Sequence, residues 1–154
     1  MSKIFTRESI ILLTQRWKDE GEKVVFTNGC FDVFHFGHLH LLKEAKKFGT
    51  KLIVALNSDY SIKKIKGACR PINKEEHRAA LLEALEMVDA VVLFDEETPE
   101  MLIRQIIPHV LVKGADYEIN KIAGASFVLE KGGSVERIPL IEGLSSSSII
   151  KRLI

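Results

Sequence analysis

The 154-residue sequence lacks several features that would place it in other protein classes. Its two cysteines, Cys30 and Cys69, are too few for a disulfide scaffold and fit a reducing, cytoplasmic compartment. No apolar run approaches the about 20 residues of a membrane span. The N-terminus has no small-residue cleavage site, so we expect neither a membrane segment nor a signal peptide. The net charge is only +1, which argues against a partner such as nucleic acid.

Several well-known motifs are also missing. The sequence contains no Walker A motif and no GxGxxG, which excludes the usual P-loop and dinucleotide fingerprints. It has no GxSxG, HExxH or CxxC, so we expect no serine-hydrolase site and no metal held by the protein itself. What remains is 46% hydrophobic and 28% charged, as expected for one globular domain spanning residues 1–154.

Short apolar runs alternate with longer amphipathic stretches along the chain. The runs predict five strands, and the stretches with apolar residues three or four apart predict helices between them. An alternating order of this kind indicates an α/β fold with a doubly wound, Rossmann-like, five-stranded parallel sheet. Ligands of such folds bind at the carboxyl ends of the strands. The predicted strands are 23–27, 52–56, 90–94, 109–112 and 134–138, and the helices are 8–20, 36–48, 74–85, 98–107, 125–131 and 145–153.

The segment 27–38, TNGCFDVFHFGH, follows the first predicted strand and leads into a helix. It places His35 and His38 three residues apart, on one face at the helix N-terminus. Unpaired N–H groups and the helix dipole favour an anion there, so the pair predicts a phosphate site. The alternative is that one histidine caps the helix and the other packs in the core.

Three further segments place polar residues at predicted strand ends or helix starts. They are LNSD at 56–59, VKGADY at 112–117 and EGLSSSS at 142–148. For these three segments, the alternatives to binding a ligand are, in order, helix capping, a turn with a solvated ion pair and simple N-capping. The lysines at 63–66 and Arg70 are placed on a loop by Gly67 and Pro71, with a solvated surface as the alternative.

These motifs resemble a known family. HFGH at 35–38 and SSSS at 145–148 are similar to the two signatures of the HxGH nucleotidyltransferase superfamily. The sequence of residues 27–38, together with the segments LNSD, KGACRPI and VKGADY, resembles that of the D-glycero-D-manno-heptose 1-phosphate adenylyltransferases. Thr50 stands where the family often has Asp, and two threonines of its last signature are serines here. The segment 139–143, which precedes the serine signature, lacks the Arg and Thr that related cytidylyltransferases have there.

The resemblance implies transfer of AMP from ATP to the heptose 1-phosphate, giving ADP-heptose and pyrophosphate for lipopolysaccharide core synthesis. Mg²⁺ would arrive with ATP, and we expect a cytoplasmic homodimer with a separate heptose kinase and phosphatase in the same pathway. The resemblance assigns His35, His38 and Lys46 to catalysis. It assigns Asp32, Asn57, Asp59 and Arg70 to binding of the sugar phosphate. It assigns the nucleotide to Thr27, Asn28, Gly29, Cys30, Phe31, Gly37, Lys113, Gly114, Asp116, Ser145, Ser146, Ser147 and Ser148.

Other functions remain open at this point. A cytidylyltransferase acting on glycerol 3-phosphate or a similar alcohol phosphate is the nearest alternative. A nucleotide-sensing module without catalysis and a flavin- or pantetheine-type adenylyltransferase are the others. Cys30 has no base beside it in the sequence, so we expect a packing residue rather than a nucleophile.

Overall fold

A six-stranded parallel sheet carries the helices of this chain on its two faces. The computed structural model describes residues 1–153. The elements are β1 (Ile4–Phe5), α1 (Arg7–Asp19), β2 (Val24–Gly29), α2 (Phe36–Lys46), β3 (Lys51–Asn57), α3 (Asp59–Lys66), α4 (Glu75–Glu83), β4 (Ala90–Phe94), α5 (Glu100–Ile106), β5 (Val110–Gly114), a 3-10 turn (Ile119–Lys121), α6 (Ala125–Glu130), β6 (Ser134–Ile138) and α7 (Ser146–Leu153).

The strand order is β1-β4-β3-β2-β5-β6, and every neighbouring pair is parallel. The central strand β2 pairs with β3 on one side, where Phe26 lies opposite Ile53, and with β5 on the other, where Phe26 lies opposite Leu111. The chain therefore winds outward in both directions from β2. The direction of winding changes between the paired strands β2 and β5, and ligands of such sheets bind at the carboxyl ends of the strands at this switch point.

Side chains alternate between two apolar layers along each central strand. Phe26 and Ile53 point into the layer under α1, α5 and α6. Val25 and Val54 point into the opposite layer, under α2 and α4, where Leu42 is also completely buried. Burial on both faces explains why β2 and β3 read as continuous apolar runs rather than as alternating ones.

The predicted doubly wound α/β fold is confirmed, but the count of five strands is wrong. The sixth strand, β1, has only two residues at the sheet edge, too few to produce a pattern. The lysine-rich segment expected on a loop lies largely in α3, which Ser58 caps by accepting a hydrogen bond from the Ser61 amide. No helix within residues 1–153 is long and apolar enough to cross a membrane.

Candidate active site

A two-lobed cleft opens at the carboxyl ends of the central strands. The first lobe has a volume of about 290 Å³ and lies between the N-termini of α2 and α7 and the end of β6. The second lobe has about 320 Å³ and lies over the ends of β2, β3 and β5. His38, Lys66 and Ser146 line both lobes, so the lobes meet at these three residues.

The two histidines stand at the start of α2 with their rings stacked, 3.8 Å between centroids. The Gly37 amide donates to Nδ1 of His35 at 3.0 Å, and the His35 amide donates to Nδ1 of His38 at 3.3 Å. Each Nδ1 therefore caps the helix, and a neutral ring must carry its proton on Nε2. Both histidines therefore cap the helix, which was the alternative to a phosphate site, and both also line the cleft.

Electrostatics keep both imidazoles neutral. Burial lowers the pKa of His38 to about 4, with further lowering by the neighbouring His35 and Lys66. Burial also lowers the pKa of His35. Near pH 7 each ring is thus a hydrogen-bond donor through Nε2–H and not a cation. Gly37 makes the stacking possible, because a Cβ at this position would lie 2.8 Å from Cε1 of His35.

Asp32 organises the loop that follows β2. Its buried carboxylate accepts hydrogen bonds from the Ile72 amide at 2.7 Å, the Asn73 amide at 2.9 Å and Nε of Arg70 at 3.2 Å. Burial opposes ionisation, but these bonds prevail and lower the pKa of Asp32. The hydroxyl of Ser146 donates to the Asp32 carbonyl oxygen. Asp32 lines the second lobe and Arg70 lines neither lobe; the two side chains bind each other and hold the loop, and their sugar contacts stay a prediction.

The backbone on either side of Asp32 is strained. Phe31 and Val33 have φ angles of 47° and 51°, in the left-handed region that L residues rarely adopt. A β-branched valine is especially unfavourable there, and each such residue costs about 1–3 kcal/mol. Strain of this kind is found where the surrounding structure fixes the backbone at a functional site.

Arg78 on α4 connects the strand ends beneath the cleft. Its guanidinium donates to the carbonyl oxygens of Asn73, Cys30 and Asn57 at 2.7–2.9 Å and to the Asp59 carboxylate at 2.8 Å. These groups belong to the ends of β2 and β3, to the loop before α4 and to α3. Arg78 is 2% exposed, so this network is buried.

The sequence prediction missed Arg78, although a signal was present. It lies next to Ala79 and four residues before Leu82, on the apolar stripe of a predicted helix. A charged residue on such a stripe must find partners inside the protein. Lys66 and Glu97, which line the cleft, were not proposed as site residues either.

Lys113 lies at the switch point between β2 and β5. Its Nζ donates to the Asn28 carbonyl oxygen at 3.1 Å and lies 4.7 Å from the centre of the Tyr117 ring. Burial lowers the pKa of Lys113 to about 8, although Asp116 and Cys30 act in the opposite direction. The ammonium ion therefore remains mostly charged near neutral pH in the second lobe.

Most of the other predicted nucleotide contacts lie in the cleft. Asn28, Gly29, Cys30 and Phe31 line the second lobe, together with the predicted sugar contact Asn57. Gly37, Asp116, Ser145, Ser146 and Ser147 line the first lobe. Gly114 lines neither lobe, but a Cβ there would lie 2.7 Å from Oδ1 of Asp116, which lines the first lobe.

The last helix begins with a reciprocal cap. The Ser148 amide donates to Oγ of Ser145 at 3.0 Å, and the Ser145 amide donates to Oγ of Ser148 at 3.2 Å. The N-capping alternative is therefore correct for these two serines. Ser146 and Ser147 remain in the first lobe beside the helix N-terminus.

Three predicted site residues have structural partners instead. Lys46 lies at the C-terminal end of α2, where it pairs with Asp89 and donates to the Thr50 carbonyl oxygen at 2.8 Å. Ten residues of helix separate it from Phe36, about 15 Å, so the structure does not bring Lys46 to the two histidines, and it lines neither lobe. Thr27 is buried and donates to the Val112 carbonyl oxygen at 2.8 Å.

Asp59 is the third of these residues. Its carboxylate accepts hydrogen bonds from Arg78 and from the Glu75 amide at the start of α4. It therefore joins α3 to α4 and lines neither lobe, so the structure does not bring it to the other predicted sugar contacts. His109 is also structural, since its Nδ1 accepts a hydrogen bond from the Val24 amide at 2.9 Å. Within residues 1–153, no three His, Cys, Asp or Glu side chains are grouped as metal ligands.

Comparisons with known proteins agree with this arrangement. Residues 26–152 match the model of the cytidylyltransferase-like family. The chain is 50% identical over 151 residues to the bifunctional protein HldE of Wolinella succinogenes, and 46% identical over 151 residues to HldE of Koribacter versatilis. Both alignments cover 98% of this chain but 31% of HldE, so the chain spans about a third of the length of these relatives.

Two solved structures are similar. The lipopolysaccharide core biosynthesis protein of Thermoplasma volcanium has a TM-score of 0.61 and 32% identity, over 79% of this chain and 98% of that one. The pantoate-beta-alanine ligase of Francisella tularensis has a TM-score of 0.69 over 100% of this chain and 74% of that one, and at 15% identity it shares the fold. The match over 26–152 and these relatives confirm the predicted resemblance, and the chain belongs to the cytidylyltransferase-like family as a nucleotidyltransferase.

Proposed function

We propose that this chain transfers AMP from ATP to the phosphate of D-glycero-D-manno-heptose 1-phosphate, releasing pyrophosphate. The observation that carries the proposal is the stacked His35–His38 pair, whose Nδ1 atoms cap α2 and whose neutral rings keep Nε2–H donors for the cleft. Two such donors at a helix N-terminus suit a phosphate that gains charge during reaction.

The reaction matches what the cleft provides. An oxygen of the acceptor phosphate attacks the α-phosphorus of ATP, and the bond from that phosphorus to the bridging oxygen of pyrophosphate breaks. The attacking oxygen is already ionised at pH 7, so the step needs no general base. It needs alignment and stabilisation of the negative charge that develops around the α-phosphorus.

The described residues offer that stabilisation from three directions. His35 and His38 donate from α2, Ser146 and Ser147 lie at the N-terminus of α7, and Lys66 is positioned where the lobes meet. Both helix N-termini add the positive ends of their dipoles. A phosphate held at this point would be surrounded by donors without losing contact with either lobe.

Mg²⁺ would enter with ATP rather than occupy a protein cage. Asp116 is the carboxylate that lines the first lobe, whereas the second lobe is lined by Glu97 and by Asp32, which holds its own loop. A hard oxygen donor such as the Asp116 carboxylate fits Mg²⁺, but one is fewer than the ion needs, so phosphate and water would complete its shell. The ion would supply charge neutralisation of the phosphates.

The choice of heptose phosphate and ATP is supported by similarity. The relatives named HldE are 46–50% identical over nearly the whole chain, and a solved relative is named as a lipopolysaccharide core biosynthesis protein. The sequence before α7 lacks the Arg and Thr of cytidylyltransferases, so CTP and an alcohol phosphate are not favoured.

The test separates the cap from the chemistry. His38→Asn places an amide oxygen near the position of Nδ1, so it can keep the cap while removing the Nε2–H donor. We expect kcat for ADP-heptose formation to fall at least 10²-fold in His38→Asn and His38→Ala, by analogy with the loss of one transition-state hydrogen bond. The matched control is His77→Ala, because His77 is exposed and outside both lobes.

Products are identified by mass after incubation with ATP or CTP and a panel of sugar and alcohol phosphates. Circular dichroism confirms that each variant is folded. A fall of less than tenfold in His38→Asn would contradict the role given to His38. Preferential formation of a CDP-alcohol would contradict the proposed substrates.

A further inference from the structure

The two lobes of the cleft differ in chemistry. The first lobe carries apolar side chains from Leu41, Leu144 and residues 138–141, beside the two helix N-termini. An apolar wall beside phosphate donors suits a nucleotide, which has a flat base and an anionic tail. The second lobe is lined mainly by polar groups, and it includes both Lys113 and Glu97. Such a lining suits a small ligand with hydroxyl groups and one phosphate.

Lys113 has capacity for a ligand. An ammonium group has three N–H donors, and one of them goes to the Asn28 carbonyl oxygen. The Tyr117 ring lies against the same nitrogen. Lys113 and the exposed Glu97 line the same lobe, but no ion pair forms between them among residues 1–153.

Glu97 enters the second lobe from the loop after β4. Within the described part of the chain, its carboxylate makes no hydrogen bond and no ion pair, unlike that of the adjacent Glu96, which binds Arg7. A carboxylate is an acceptor only, so it suits hydroxyl donors and repels phosphates. The unpaired charges of Lys113 and Glu97 are thus complementary to two different parts of a sugar phosphate.

We infer that the second lobe is the acceptor subsite, in which Lys113 binds the phosphate and Glu97 accepts hydrogen bonds from sugar hydroxyls. This inference rests on the proposed function and extends it to the choice of acceptor. The sugar phosphate in the second lobe and ATP in the first would then meet at His38, Lys66 and Ser146, which both lobes share. Glu97 is a specificity-determining residue that favours acceptors rich in hydroxyl groups.

The experiment compares Glu97→Ala with Asp95→Ala in the full chain. Asp95 is an exposed acid two residues earlier that lines neither lobe. We expect Glu97→Ala to raise KM for heptose 1-phosphate at least tenfold while KM for ATP stays within twofold. The preference for heptose 1-phosphate over glycerol 3-phosphate, as a ratio of kcat/KM values, should fall by a similar factor. Asp95→Ala should leave all three quantities unchanged.

Lys113→Met is the second variant, and it should also raise KM for the acceptor at least tenfold but lower affinity for both acceptors alike. A larger change in KM for ATP than for heptose 1-phosphate in the Glu97 variant would overturn the inference. Unchanged values for both substrates would overturn it as well.

A direct titration keeps this test separate from that of the proposed function. Heptose 1-phosphate is titrated into wild-type protein and Glu97→Ala, each saturated with a non-hydrolysable ATP analogue. Weaker binding to the variant supports the acceptor subsite, even if wild-type protein binds the sugar phosphate and forms no ADP-heptose, which would refute the proposed function alone. Equal binding to both proteins, or none to wild type, would refute the acceptor subsite.

Discussion

Replacing Arg78 by methionine tests whether one buried side chain holds the floor of the cleft. Methionine has a similar length and fills most of the space, but it removes all four hydrogen bonds to Asn73, Cys30, Asn57 and Asp59. Three of the partners are carbonyl oxygens, which lose their charged donor in a region that water does not reach freely.

The magnitude follows from the number and kind of these bonds. A hydrogen bond to a charged group contributes about 1.5–3 kcal/mol, but bonds that share one side chain do not add. Breaking a buried charge pair by removing one partner costs about 3–5 kcal/mol. We therefore expect Arg78→Met to lower the free energy of unfolding by about 3–5 kcal/mol, a large part of the about 5–15 kcal/mol typical of a domain.

The assay is urea denaturation followed by circular dichroism, with Arg104→Met as the matched control. Arg104 is half-exposed and pairs with Glu100 one helical turn away, so its loss should cost at most about 1 kcal/mol. Arg78→Lys, which keeps the charge but fewer donors, should fall between the two. A difference of less than about 1 kcal/mol between Arg78→Met and the control would refute the reasoning.

Two other outcomes follow from the structure. Lys46→Met should lower the free energy of unfolding by about 1 kcal/mol, because it removes the ion pair with Asp89. It should keep kcat/KM within about twofold of wild type. A 10²-fold loss in steady-state assays would instead support the catalytic role that the resemblance implies. The pKa of His38 is lowered from 6.5 to about 4, so the folded state binds fewer protons than the unfolded state between these values. Stability measured by urea denaturation should therefore be complete above pH 6.5 and fall towards pH 4, and His38→Asn should flatten this dependence; an unchanged slope would contradict the neutral, capping ring.

The bounds of two strands could be predicted from the sequence. β4 is a continuous apolar run, AVVLF, and β6 (SVERI) is set off by Gly132 and Gly133 before it and Pro139 after it. α3 could not be predicted, because it is rich in lysine and its buried residues, Ser61 and Ile62, are too few to produce a helical pattern. β1 could not be predicted either, since two residues carry no period.

The position of a candidate site residue could be predicted where local spacing decides it, but not where a distant partner decides it. His35 and His38 lie at a helix N-terminus after a central strand, as local spacing indicated. Lys46, Asp32 and Asp59 were predicted from their residue types and the resemblance. Their partners are far along the chain, such as Asp89 for Lys46, 43 residues away, so only the tertiary structure separates a ligand contact from an internal one.

The capping of α2 also has a consequence for the acceptor in the proposed reaction. A backbone amide already occupies the free lone pair of each imidazole, and the other nitrogen carries the hydrogen. The rings can therefore give a hydrogen bond, but taking up a proton on Nδ1 would break the cap, so neither ring is a good base near pH 7. An alcohol, which must be deprotonated before it attacks, would find no help from this pair. In the proposed reaction, the pair therefore favours acceptors that arrive as anions over neutral hydroxyl acceptors, and this preference comes from helix capping rather than from the shape of the cleft.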